Sequence, residues 1–168
     1  MNRGLRSALL AAAVTLASAG VATADGPIIE PGPSTTVQFA AGEVCEFPVG
    51  VETIVNRSLQ KVFLAPSGEP ERIILTGRVI LRLTNLEAGT SIDVNASGPA
   101  LLIPHEDGSI SLVGHGRGVQ WFTPANEEGP ALLVILGRAT LDISPTGEIS
   151  NFTAVGTTGD LCAVLAEA

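Results

Sequence analysis

From Val37 to Leu165 the chain is written in period two. Runs of five to ten residues rich in β-branched side chains and leucine are cut by Ser67-Gly68, Ala88-Gly89, Asp107-Gly108, Thr146-Gly147 and Thr158-Gly159. Alternating runs between turn dipeptides are the signature of half-buried strands, and no stretch carries helical spacing over a useful length. The pattern predicts an all-β fold, a single antiparallel β-sandwich or flattened barrel of about nine or ten short strands.

Parity fixes the first hairpin. Val79, Leu81 and Leu83 alternate with Arg78, Arg82 and Thr84, and Ile92, Val94 and Ala96 alternate with Asp93 and Asn95. Antiparallel partners share a face, so Leu83 should meet Ile92, Leu81 should meet Val94, and Arg82 should face Asp93 on the outside, around a Leu86-Glu87-Ala88-Gly89 turn. A second hairpin is expected on Asp107-Gly108 as a two-residue type I′ turn. That choice pairs Leu101 with Gly114 and Ile103 with Leu112, and sets His105 against Ile110 and His115 against Ala100. Further strands are expected at Phe47–Ser58, Gln60–Ala65, Arg72–Thr76, Ala131–Ile143, Ile149–Val155 and Leu161–Leu165.

Upstream of the domain the pattern changes. Residues 1–24 read as a secretory signal peptide: Arg3 and Arg6, an apolar run from Ser7 to Val21, then Ala22-Thr23-Ala24 as the cleavage signal. The run is too short to span a bilayer, which predicts release and a secreted, extracellular protein with no membrane span. Residues 25–36, with three prolines and two glycines and no periodicity, read as a flexible leader, leaving 37–168 as the β domain. Removal of the two signal-peptide arginines takes the net charge from −8 to −10 over 144 residues. So negative a field excludes a nucleic-acid partner and repels anionic membranes, with extracellular solubility as its ordinary meaning.

Two cysteines remain, Cys45 and Cys162, near the two ends of the domain. Export places them in an oxidising compartment, so one disulfide closing the domain is expected. A reactive thiol would need cationic neighbours, and Glu43, Glu46 and Asp160 are anionic.

Chemistry-bearing residues are scarce. His105, Glu106, Asp107 and His115 are the one cluster of metal-ligand and acid–base types, and they underlie the alternative reading of an extracellular hydrolase or metal-dependent enzyme. Hairpin pairing separates the two histidines by about 17 Å at ~3.3 Å per residue, so no metal, cofactor or catalytic residue is assigned. No G-x-S-x-G elbow or S-x-x-K occurs, and one Trp with no Tyr leaves few platforms for sugar rings.

The run Gly114-His115-Gly116-Arg117-Gly118 lacks the spacing and the following helix of a phosphate loop. As a strand it bares backbone on one face at three glycines, while His115, Arg117 and Trp121 project from the other. These six residues are the candidate ligand surface; the competing reading is a bend, or a stripe filled by one of the protein's own rings.

Several strings carry a resemblance: Ala41-Gly42-Glu43-Val44-Cys45, Leu83-Thr84-Asn85-Leu86-Glu87-Ala88-Gly89, Gly114-His115-Gly116, and the closing Asp160-Leu161-Cys162-Ala163. Together they resemble an uncharacterised family of small secreted β-rich proteins of high-GC Gram-positive bacteria. The resemblance implies an exported β fold and no established activity. A bacterial source also fits the eight Arg to one Lys. The expected role is a secreted, non-catalytic binding or envelope-associated module, with an extracellular protein or glycan as partner.

Overall fold

A computed structural model describes residues 26–168. The signal peptide expected at 1–24 lies outside the described residues. The fold is all-β and antiparallel, with nine strands in one open sheet and a short C-terminal helix. The strands are β1 (Ile28–Pro31), β2 (Thr36–Phe39), β3 (Val49–Leu64), β4 (Pro70–Asn85), β5 (Ser91–Asn95), β6 (Ala100–Pro104), β7 (Ile110–Phe122), β8 (Ala131–Ile143) and β9 (Ile149–Asp160). Their order is β1-β3-β4-β6-β7-β8-β9, with β2 also on β3 and β5 also on β4.

The first hairpin has the register that parity requires: Leu83 faces Ile92, Leu81 faces Val94, and Arg82 faces Asp93. The Arg82 Nε lies 2.8 Å from Asp93 Oδ1. Asn85 tightens the turn, its Oδ1 accepting from the backbone of Glu87 and Ala88.

The second hairpin is one residue out of the expected register. Leu102 faces Leu112, Leu101 faces Val113 and Ala100 faces Gly114. The cause is the turn. Gly108 N–H donates to the His105 carbonyl, His105 N–H donates to the Ser109 carbonyl, and Gly108 takes φ 83°. A three-residue turn ending in a left-handed glycine replaces the two-residue type I′ turn, and the Asp107 carboxylate holds it by accepting from Ser109 N and Oγ. One added residue moves Leu101 and Ile103 to the opposite face.

Three other expectations change. Within 25–36, read as a leader, Ile28–Pro31 is a strand on the edge of β3, its four residues exposed and Pro31 at its end, so backbone pairing rather than burial holds it there. The runs divided at Ser58 and at Gly77 are continuous 16-residue strands that bend there, because Ser58 and Gly77 sit opposite each other. Leu161–Leu165, read as a strand, lies in helix α1 (Leu161–Ala166). Asp160 accepts from Cys162 N and Ala163 N as an N-cap, and Leu161 and Leu165, four apart, both turn into the core.

Two cores result. The larger joins Val49, Val51, Leu81 and Leu83 of β3 and β4 to Leu132 of β8 and to Leu161 and Leu165 of the helix. The Cys45–Cys162 disulfide, with Cα atoms 5.6 Å apart, ties that helix to the segment before β3. The smaller core joins Phe122, Leu141 and Ile149, with Leu112, Leu133 and Phe152 packed on it. Neighbouring residues on β7 and β8 serve both: Trp121 and Leu132 face the first, Phe122 and Leu133 the second. The two ends of these strands are therefore sandwiched between cores on opposite faces.

Candidate functional site

The molecule is folded along a line of glycines. Gly116, Gly137 and Gly156 are directly opposite one another on β7, β8 and β9. Their φ angles are 80°, 148° and 130°. Gly98 continues the line toward Ser58 and Gly77, its N–H donating to the Arg117 carbonyl at 2.7 Å. Such φ values disfavour any L side chain, and a Cβ on Gly137 would overlap the Val155 carbonyl oxygen. The glycines let the strands crease without breaking the hydrogen-bonded ladder.

Inside the crease lies a cavity of about 230 Å³. Gly114, Gly116, Gly118 and Gln120 of β7 line it, as do Ile135, Gly137, Ala139 and Leu141 of β8. These are alternate residues of two paired strands, so they share one face. Ala100, paired with Gly114, and Leu75, paired with Ala100, continue the same face toward β4, where Val79 and Ala96 complete the lining. The lining is mainly aliphatic, with Ser58, Thr76, His115 and Arg117 at its borders, and Gln120 spends its Nε2 on the Trp121 carbonyl. Gly114 and Gly118 leave the room: a Cβ on Gly118 would meet nothing within 4 Å, and one on Gly114 only a Leu112 methyl at 3.8 Å.

The expected ligand surface is thus divided. Gly114, Gly116 and Gly118 open into the cavity; His115 and Arg117, between them in sequence, border it too, but both are exposed and strand alternation directs them to the opposite, outer face. His115 faces Arg138 across the β7–β8 pair. Trp121 is absent from the cavity; it packs against the larger core, its ring centroid 6.0 Å from that of Phe39.

The histidines are kept apart. His105 stands in the hairpin turn opposite Ser109, while His115 is six residues further along β7, about 20 Å at ~3.3 Å per residue. Among the described residues no three His, Cys, Asp or Glu side chains are grouped to hold a metal ion. His105 instead joins residues that the sequence did not single out. Its Nε2 lies 2.9 Å from Ser111 Oγ, and Ser111 Oγ donates to Asp142 Oδ1 at 2.6 Å. Asn151 Nδ2 donates to Asp142 Oδ2 at 2.9 Å, from a backbone at φ 53° beside a bulge in the β8–β9 pairing.

Since the Ser111 proton is committed to Asp142, His105 Nε2 is the donor in this chain. The hydrogen bond from Ser111, then that from Asn151, holds the Asp142 carboxyl below the usual carboxylate range. So weak a base does not activate an alcohol, and the histidine stands on the wrong side of the serine proton to do so. The correct hairpin register is the signal that leads to this cluster, because it places His105 and Ser111 on one face.

No family model, curated protein or solved structure matches the chain. The functional reading therefore rests on the crease, its cavity and the surfaces beside them.

Proposed function

We propose that the chain is an exported, non-catalytic binding domain whose crease cavity takes a small apolar ligand. One observation carries the reading: the crease holds a mainly aliphatic cavity of about 230 Å³ in which Gly114 and Gly118 leave room that no side chain fills. Interiors normally close to organic-crystal density, and empty apolar space of about 150 Å³ is enough to admit benzene. The size class is a single ring with short substituents. Export is supported by the disulfide and by the signal-like residues 1–24, and no helix among the described residues is long and apolar enough to cross a membrane. An envelope-associated role in a Gram-positive bacterium is the setting the resemblance suggests. The hydrolase alternative has less behind it, since the His105 cluster directs its serine proton to a weakened base.

The test is a thermal-shift screen of residues 26–168 against alkylbenzenes and single-ring phenols, beside calcium, zinc, cell-wall fragments and simple glycans. A ligand for the native state raises the melting temperature with its concentration. The apolar ring compounds should do so, and Gly118→Leu, which fills the cavity, should abolish the response. A response to metal or glycan with none to the apolar panel would sink the reading.

A further inference from the structure

Net charge conceals where the charges lie. Arg57 and Arg78 face each other on β3 and β4, while Arg117 on β7 is next to Gly116 and Arg138 on β8 is next to Gly137. Each arginine is therefore adjacent in sequence to a residue of the crease line. All four share one face of the sheet: Ile74, Leu101, Val113 and Thr140 are paired in succession across β4, β6, β7 and β8, and the arginines lie an even number of residues from them on their strands. That is the convex face, opposite the cavity, and all four are exposed.

Among the described residues these arginines have no ionic partner. The one ion pair among the described residues is Arg82 with Asp93. Segments 53–61, 74–82, 113–121, 134–141 and 149–159, which flank the crease, contain no Asp or Glu although the chain has 17. Like charges directly opposite on a sheet destabilise it, so the Arg57–Arg78 pair is a cost that an external anion would relieve. Large exposed apolar side chains alternate with the arginines. Leu136 faces Arg117, and Val155, at 71% the most exposed of the large hydrophobic residues, faces Arg138. Leu59 lies two residues from Arg57 on the same face and is also exposed.

We propose that this ridge docks on an anionic phospholipid bilayer. A convex ridge has no groove for a peptide or a small ligand and makes its fullest contact with an extended surface. The arginine row crosses four strand spacings, about 19 Å at ~4.8 Å each, wide enough to meet several headgroups. Guanidinium groups grip phosphate oxygens in pairs, and apolar tips beside them enter the headgroup–acyl boundary. Attraction acts over about a Debye length, ~10 Å, so acids at the far ends of the strands count little at the ridge. The proposal is independent of the cavity and its ligand.

Vesicle co-sedimentation tests it on residues 26–168, which contain both cores, the whole sheet and the disulfide. Vesicles of phosphatidylglycerol and phosphatidylcholine in equal parts should carry the protein down at ~0.1 M salt, those of phosphatidylcholine alone should not, and binding should weaken as salt rises. Arg57→Gln with Arg78→Gln, and separately Arg117→Gln with Arg138→Gln, should each weaken binding about tenfold or more. Arg82→Gln should leave it unchanged. Leu136→Ser with Val155→Ser should weaken binding while the salt dependence persists. Melting temperatures no lower than the parent's would show that every variant is folded, and Arg57→Gln with Arg78→Gln should raise the value slightly by removing the like-charge pair. Equal binding to both vesicle types, or anionic binding indifferent to the arginine pairs, would overturn the proposal. So would binding of inorganic polyphosphate with none to vesicles, which would assign the row to a soluble polyanion.

Discussion

Phe122 and Phe152 meet edge to face with ring centroids 4.8 Å apart, although they belong to rungs about ten residues apart on the same three-stranded unit. On a flat sheet ten rungs span about 33 Å. The strands are folded over between them, at Gly116, Gly137 and Gly156, and the aromatic contact records how far. The same crease shapes both surfaces proposed to bind: the cavity is its inside and the arginine row its outside.

Gly137→Ala should therefore be far more damaging than an ordinary glycine replacement. Gly137 has φ 148°, and a Cβ there would overlap the Val155 carbonyl oxygen. A loss of about 2–3 kcal/mol or more is expected in urea unfolding at constant slope. Gly118→Ala, with open space and no positive φ, is the paired control and should be nearly neutral. Equal losses at the two positions would mean that the glycines are not what permits the fold.

Phe122 is wholly buried in the smaller core and bears on Phe152. Phe122→Ala should cost about 3–5 kcal/mol, by transfer and cavity terms together. A loss under 1 kcal/mol would show that the two halves of the β7–β9 unit are not packed on one another.

The Cys45–Cys162 bond spans 117 residues and fastens the capping helix to the start of the sheet. Closing so long a loop limits the unfolded chain, and reduction should remove about 4–5 kcal/mol by the chain-entropy account. Intact masses before and after reduction should differ by two protons. Two free thiols in the untreated protein, or unchanged stability on reduction, would contradict this.

Much of the fold is legible in the sequence because a two-residue period and one buried face leave few registers. Leu81, Leu83, Ile92 and Val94 determine the β4–β5 pairing, and the Arg82–Asp93 pair agrees with it. Asp107-Gly108 misleads because that dipeptide suits both a two-residue turn and a three-residue turn with a left-handed glycine; only the Asp107–Ser109 bonds decide between them. Leu161–Leu165 is too short for periodicity to tell strand from helix, and the Asp160 cap settles it. The glycines of β7 were visible as a stripe. Their alignment with Gly137 and Gly156 depends on pairings between distant strands, and so does the row of arginines beside them.

Gly118→Val should stabilise the protein by about 1 kcal/mol. Valine fits strand backbone, restricts the unfolded chain and puts two methyl groups into empty aliphatic space. A rise in the urea midpoint is the expected reading. A fall would indicate that the space is needed by the protein's own side chains.

Asp142 gives the fold a dependence on acid. Hydrogen bonds from Ser111 and Asn151 favour its charged form, so its folded-state carboxyl titrates below the unfolded one. The stabilisation is then full above the ordinary carboxylate range and is lost as pH falls through the depressed folded value. Asp142→Asn should lower stability near neutral pH and flatten the acid limb of the stability–pH curve. Asn151→Gly suits the left-handed backbone at φ 53° while deleting one donor, so it should raise the Asp142 pKa, measured by carboxyl NMR titration, without distorting the bulge. An Asp142 carboxyl that titrates at the ordinary value in the parent protein would refute the network, whatever the two variants do.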